Sequence, residues 1–253
     1  MAWLLGSVTW VGAVDHNNID AGRPLSFDDA EAVAYRERAI EFGGKLVSPR
    51  KQPLGVVGAA EFLYGFARDS QASLDVDPTW GARSSSNERR FYVGDVSVGL
   101  LHNFNREIKS VPAFAARGDV FFPSGRDTKG TDIRLRGILS KTVCQYSRLH
   151  VNVDGTFRSD PKYGERNVIP ALTLGWSKPI RYPRVFTQTL LAETGVRSAD
   201  TYGTGPIASI GLGLRQQVTV RSVFDIGIRS DVIGGRSAPR DNVQGIVGYS
   251  VSF

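Results

Sequence analysis

From Val243 to Phe253 the chain changes character at nearly every residue, and this alternation limits what it can become. Val243, Val247, Tyr249, Val251 and Phe253 share one set of positions; Gln244, Gly248, Ser250 and Ser252 share the other. Only Ile246 breaks the pattern. Successive side chains of a β-strand point to opposite faces, so this stretch reads as a strand with an apolar side and a polar side.

The chain has 253 residues, enough for one large β-barrel or two small domains. Hydrophobic residues make up 41% and charged residues 22%, which argues against both disorder and a helical membrane bundle. No apolar run approaches the length a spanning helix needs. Barrel strands alternate and never read as strongly hydrophobic, so the membrane stays open as a setting. The lone Cys144 allows no intrachain disulfide, and three scattered His with one Cys give no zinc-ligand spacing. No cofactor motif stands out. The net charge of +6 is spread through alternating segments without a nucleic-acid module, so nucleic acid is not an expected partner.

Three regions follow. Residues 1–14 form a short apolar segment that reads as the remnant of a signal peptide, or else as an extra strand. Residues 15–42 form an amino-terminal segment. Within it Ser26 and Asp29 resemble a capping box, and Ala30–Phe42, free of Gly and Pro, is expected to be a short helix. That helix would be a periplasmic lead-in or a plug in the barrel mouth. From residue 43 to 253 nearly everything reads as strand and turn, in about twelve segments: 43–48, 56–67, 72–80, 91–103, 111–122, 132–143, 147–158, 167–177, 184–196, 206–217, 219–230 and 243–253. With Phe253 at the periplasmic side, short turns fall on that side and the longer Gly-, Ser- and Asp-rich loops on the other, as in outer-membrane barrels.

The faces are clearest late in the chain. Segment 219–230 sets Val220, Phe224, Ile226 and Ile228 against Arg221, Asp225 and Arg229. Segment 147–158 sets Leu149, Val151, Val153 and Phe157 against His150, Asn152, Asp154 and Arg158. A tight turn at 144–146 would place Arg136 opposite Asp154 and Ser140 opposite His150, a favourable cross-strand charge pair. Twelve strands enclose a lumen too wide to fill readily with a dry core, so the polar face is expected inside and the apolar face in lipid. Candidate lumen-lining residues are Arg134, Arg136, His150, Asp154, Arg158, Glu193, Arg221, Asp225 and Arg229; their excess of arginine would favour anions. The same groups could instead close the lumen with ion pairs. Gly211 and Gly213 open no helix and fit close packing within a strand better than a phosphate loop.

Two resemblances add to this. The final strand is similar to that of bacterial outer-membrane β-barrels, which implies that Tyr249, Val251 and Phe253 serve as a signal to the barrel-assembly machinery. The stretches Ile19–Ala30, Val93–Arg106, Phe122–Arg126 and Arg148–Val153, with Phe253, resemble the outer-membrane family named after the meta-cleavage pathway of phenol degradation. Phe122-Pro-Ser-Gly is similar to that family's strand-ending Leu-Pro-Thr-Gly, with Phe122 and Ser124 substituted.

The expectation is an antiparallel transmembrane β-barrel of about twelve strands with a short amino-terminal helix, in the outer membrane of a Gram-negative bacterium. Its partners would be outer-membrane lipid, the assembly machinery and a small solute. The resemblance implies permeation or uptake of small, aromatic or hydrophobic molecules. One alternative is a structural or partner-binding barrel with a closed lumen, docking through loop 231–242. Another is a barrel hydrolase built on Ser140, His150 and Asp154, although Asp154 sits too far along the strand from His150 to orient its ring. No enzymatic activity is expected.

Overall fold

Strands that carry apolar residues on one face and polar residues on the other can satisfy their backbones and hide neither face only if the sheet closes on itself in lipid. The computed structural model describes residues 24–49, 54–80, 91–124, 129–181, 187–234 and 240–253. The strands are β1 (Arg38–Pro49), β2 (Gly55–Ala67), β3 (Ser70–Val76), β4 (Thr79–Trp80), β5 (Phe91–Tyr92), β6 (Val96–Asn105) and β7 (Ala113–Phe122). They continue with β8 (Asp132–Cys144), β9 (Ser147–Phe157), β10 (Val168–Pro179), β11 (Gln188–Arg197), β12 (Ile207–Thr219), β13 (Ser222–Ile233) and β14 (Asp241–Ser252). All pairings are antiparallel, and β1 closes the sheet by pairing with β14 on one side and β2 on the other. Twelve strands make the wall, while β4 and β5 form a short ribbon held on Val56 and Val57 of β2.

The expected strand count holds, but the start of the barrel does not. Among the described residues there is no α-helix, and the helix expected over Ala30–Phe42 is replaced by an extended segment, 24–37, followed by β1. In β1, Ala39 and Glu41 are buried inside while Phe42 and Leu46 are exposed outside. That period of two, with partners available on both sides, outweighs the helix propensity of an Ala- and Glu-rich run. The barrel therefore begins at Arg38 rather than residue 43. The proposed signal remnant, 1–14, lies outside the described residues.

The sidedness is inverted relative to a water-soluble protein. Buried polar and charged residues outnumber buried apolar ones, whereas Leu100, Leu135, Val153, Leu174, Leu212, Ile226, Ile228 and Val247 are exposed on the outer face. Such an apolar belt around a charged interior makes this a bilayer-spanning barrel of the outer-membrane type. Short turns at Arg68–Asp69, Gln145–Tyr146 and Val220–Arg221 mark one end, and longer connections such as 158–167 and 198–206 mark the other. Asp69 and Tyr146 take left-handed φ angles of 57° and 60° to make their turns.

The β8–β9 hairpin has the expected register: Arg136 opposes Asp154 and Ser140 opposes His150. The β12–β13 turn falls two residues later than expected. Arg221 therefore sits exposed in that turn and not on the inner face.

Leu212 is 58% exposed at the middle of β12. Leu212→Arg should destabilise the barrel folded in lipid vesicles by about 2–4 kcal/mol. Equilibrium denaturant unfolding in vesicles would check this; an unchanged midpoint would argue that this face does not meet hydrocarbon.

Candidate functional site

Residues 24–37 line the inside of the barrel as a collar. Following the chain, Pro24 lies against Gly213 and Gly227 of β12 and β13, and Ser26 binds Glu193 of β11. Phe27 sits on Gly175 of β10, Asp28 binds Asn152 of β9 and Arg136 of β8, and Ala30 binds Ser140 of β8 and Asn103 of β6. Val33 then binds Gln71 of β3, and Arg36 binds the Gly65 carbonyl of β2, just before β1 begins. The collar thus runs round the inner wall against strand order, descending from mid-lumen to the short-turn end.

Until it meets Gly65 of β2 at Arg36 and Glu37, its backbone has no neighbouring strand, so wall side chains take that part. The Asn152 side chain accepts from Asp28 N–H at 2.7 Å and donates to Asp28 C=O at 3.0 Å, as a paired strand would. Glu193 accepts from Ser26 N–H at 2.8 Å, Ser140 Oγ from Ala30 N–H at 3.0 Å and Gln71 from Val33 N–H at 2.7 Å. Asn103 Nδ2 donates to Ala30 C=O. Apolar collar residues anchor three buried clusters: Leu25 and Phe27 with Leu191, Ala30 with Leu101 and Ile138, and Val33 with Leu63 and Val223. Glycines on the wall make room, since a Cβ on Gly175 would lie 2.5 Å from the Phe27 ring and one on Gly213 2.6 Å from Pro24. Close packing, as expected for Gly213, is what this glycine provides.

Charge locks the collar in place. Arg136 donates to Asp28 at 2.6 Å and to Asp154 at 2.5 Å, with Arg117 3.9 Å from the same Asp28 oxygen. Burial alone would raise the Asp28 carboxyl, but the guanidiniums of Arg136, Arg117 and Arg134 outweigh it and hold the group below the ordinary carboxylate range. Arg148 lies 2.9 Å from Glu31 and 3.7 Å from Asp29.

The sequence candidates separate into groups. Arg134, Arg136, His150, Asp154, Glu193, Asp225 and Arg229 all sit on inward positions. Arg134 donates to Asp119 at 2.9 Å, Asp225 pairs with Arg215 at 2.8 Å, and Arg229 lies 2.9 Å from Glu193 without hydrogen-bond alignment. Arg158 instead knits the long-loop end, within 3.9 Å of Asp132, 3.3 Å of Glu165 and 3.5 Å of Asp200. With Arg158 and Arg221 elsewhere, the expected excess of arginine in the lumen disappears.

Above the collar, towards the long loops, lies a cavity of about 210 Å³ whose charged lining is Asp28, Glu61, Asp75 and Asp77 against Lys45, Arg117, Arg134 and Arg136. Glu61, Asp75, Arg117 and Asp119 were not among the candidates. Arg117 and Asp119 are isolated charges at alternate positions of an Ala- and Phe-rich strand, a signal present in the sequence.

Ser140 and His150 do meet, Oγ and Nδ1 at 2.9 Å, but they do not assemble a hydrolase site. Asp154 is engaged by Arg136, His150 Nε2 faces Ser177 Oγ at 3.0 Å, and Ser140 Oγ accepts from the collar backbone. Tyr249 and Phe253 are exposed and Val251 half-buried, all on the outer side of the β14 wall. The sequence stretches that carry the family resemblance map to definite parts. Pro24–Ala30, the described part of the first stretch, is the leading half of the collar, and Ser124 Oγ accepts from Val96 N–H at 2.8 Å and donates to Gly94 C=O at 3.0 Å, tying the end of β7 to the start of β6.

No protein-family model and no curated protein matches the chain. Solved structures do share the fold. The COG4313 outer membrane channel from Pseudomonas putida F1 superposes with a TM-score of 0.71 at 13% identity, covering 89% of this chain and 98% of its own. The NanC porin gives 0.60 at 11% identity, covering 85% and 98%. The P. putida toluene transporter TodX gives 0.50 at 9% identity, covering 87% and 91%. At these identities the likeness is one of fold, that of outer-membrane channels.

Arg136→Gln would leave Asp28 and Asp154 without their shared cation, so the barrel should lose about 3 kcal/mol of stability. In a Cys144→Ser background, Gly175→Val should displace Phe27 and raise maleimide labelling of a cysteine placed at the neighbouring collar position 30. No gain in labelling would mean that the collar does not depend on that seat.

Proposed function

We propose that this protein is a channel of the bacterial outer membrane that passes small molecules through its lumen, with the collar setting the constriction. The observation that carries this reading is the charged cavity above the collar, inside a closed wall whose outer face is apolar. A closed structural core would have no use for ionised groups around open space, because their burial costs more than apolar packing of the same volume. The shared fold of outer-membrane channels supports the reading.

We further propose kinship with the meta-pathway family, supported by the collar stretch and by the Ser124 tie, both of which fall in the resembling segments. That kinship, with the fold shared by the toluene transporter, supports aromatic compounds as candidate solutes. The wall chemistry favours those bearing ionised groups over bare hydrocarbons, since an apolar solute would strip water from unreplaced charges. We assign Tyr249, Val251 and Phe253 to recognition by the assembly machinery, supported by their shared outward alignment.

A second reading, a structural barrel with a closed lumen, is favoured by the density of bonds that hold the collar.

Planar-bilayer conductance separates the two. The native protein should show small discrete steps, and a variant lacking residues 24–34 should show larger ones. Correctly folded barrels without steps in either form would establish the closed-lumen reading. Because the cavity carries acids and bases in balance, the reversal potential in a salt gradient should show little preference between anions and cations; strong anion selectivity would contradict the charge arrangement described above.

A further inference from the structure

The cavity above the collar is electrically two-sided. Its acids come from one arc of the wall, Glu61 on β2, Asp75 on β3 and Asp77 just beyond it. Its arginines come from the next arc, Arg117 on β7 with Arg134 and Arg136 on β8, while Lys45 of β1 flanks the acids on their far side. Arg117 joins the two at the seam, 3.2 Å from Glu61 and 3.9 Å from Asp75. Asp75 and Arg134 keep 23% and 28% of their side chains accessible, so a solute entering the cavity meets both a carboxylate and a guanidinium. Asp28 of the collar closes the floor, its Oδ2 held by Arg136 at 2.6 Å.

We propose that this cavity is a binding subsite for small solutes that carry both a cationic and an anionic group. The inference rests on the channel reading and specifies its solute class. Opposite charges on adjoining arcs set up a field along the inner wall, and confinement away from bulk water strengthens it. A solute with both charges aligns its ammonium with Asp75 and its carboxylate with Arg134, making charge-assisted hydrogen bonds at each end. A solute with a single charge is drawn to one wall and repelled by the other. An uncharged apolar solute desolvates both walls and replaces neither set of bonds.

The test is block of potassium chloride current through the native protein in planar bilayers by three solutes of equal chain length: γ-aminobutyrate, butylamine and butyrate. γ-Aminobutyrate should block at concentrations about tenfold lower than either singly charged analogue, the difference expected from one added charge-assisted hydrogen bond. Asp75→Asn and Arg134→Gln should each abolish that advantage, with heat-modifiable gel migration reporting whether each variant has folded. The comparison on native protein stands even if a variant does not fold. Equal block by all three solutes, or preferential block by a singly charged one, in a protein that conducts would overturn the subsite and leave the channel reading intact. Absence of potassium chloride current would overturn the channel reading and the subsite with it.

Discussion

Everything in this fold depends on backbone hydrogen bonds that must be completed without water. Inside hydrocarbon an unpaired N–H or C=O costs several kcal/mol, so every wall strand needs two neighbours. β1 meets that demand by pairing along its length with both β2 and β14. Its closure also fixes the inner wall. Once the sheet is a ring, alternate side chains point into one enclosed space, and polar residues from distant parts of the sequence become neighbours.

The collar obeys the same rule by another route. From Ser26 to Val33 it has no strand beside it, yet its N–H and C=O groups are met by Glu193, Asn152, Ser140, Asn103 and Gln71, which project from five different strands. Fixing each residue of an extended chain costs about 1–2 kcal/mol of backbone entropy. A segment of this length would not stay on a smooth apolar wall, and the contacts at Ser26, Asp28 and Ala30 recur at every second residue because an extended chain turns alternate groups towards the wall. The buried acids and arginines have a double part here. Arg136 neutralises Asp28 of the collar and Asp154 of the wall together, so the seat of the collar and the charge balance of the lumen are one arrangement.

Much of the wall was legible in the sequence because its signal is local. Alternation over ten or more residues locates a strand and its two faces, and a two-residue turn at 145–146 sets the register that brings Arg136 to Asp154. The β12–β13 turn was misplaced by two residues because Val218, Val220 and Thr219 continue the alternation through the bend, which put Arg221 on the wrong side of a boundary. Residues 30–42 misled for a different reason. Their Ala and Glu content speaks for a helix, but their fate is decided by β2 and β14, the latter some two hundred residues away in sequence, which no local pattern records. The lumen network was legible only in part, since Glu61, Asp75 and Arg117 gain their meaning from being brought together across three strands.

The path of the collar has a consequence for how the molecule is made. Pro24 and Ser26 are among the first described residues of the chain, yet their seats lie on β11, β12 and β13, 167 positions later for the Ser26–Glu193 bond and further still for Pro24 at Gly213 and Gly227. Those seats do not exist until the final strands have joined the sheet. The start of the collar therefore has to dock late, into a ring already closed or closing, and until then Leu25 and Phe27 lack their apolar partner Leu191. Biogenesis of this barrel has to shelter a short sticky leader through almost the entire assembly of the wall, and settling it inside is the step that completes the fold.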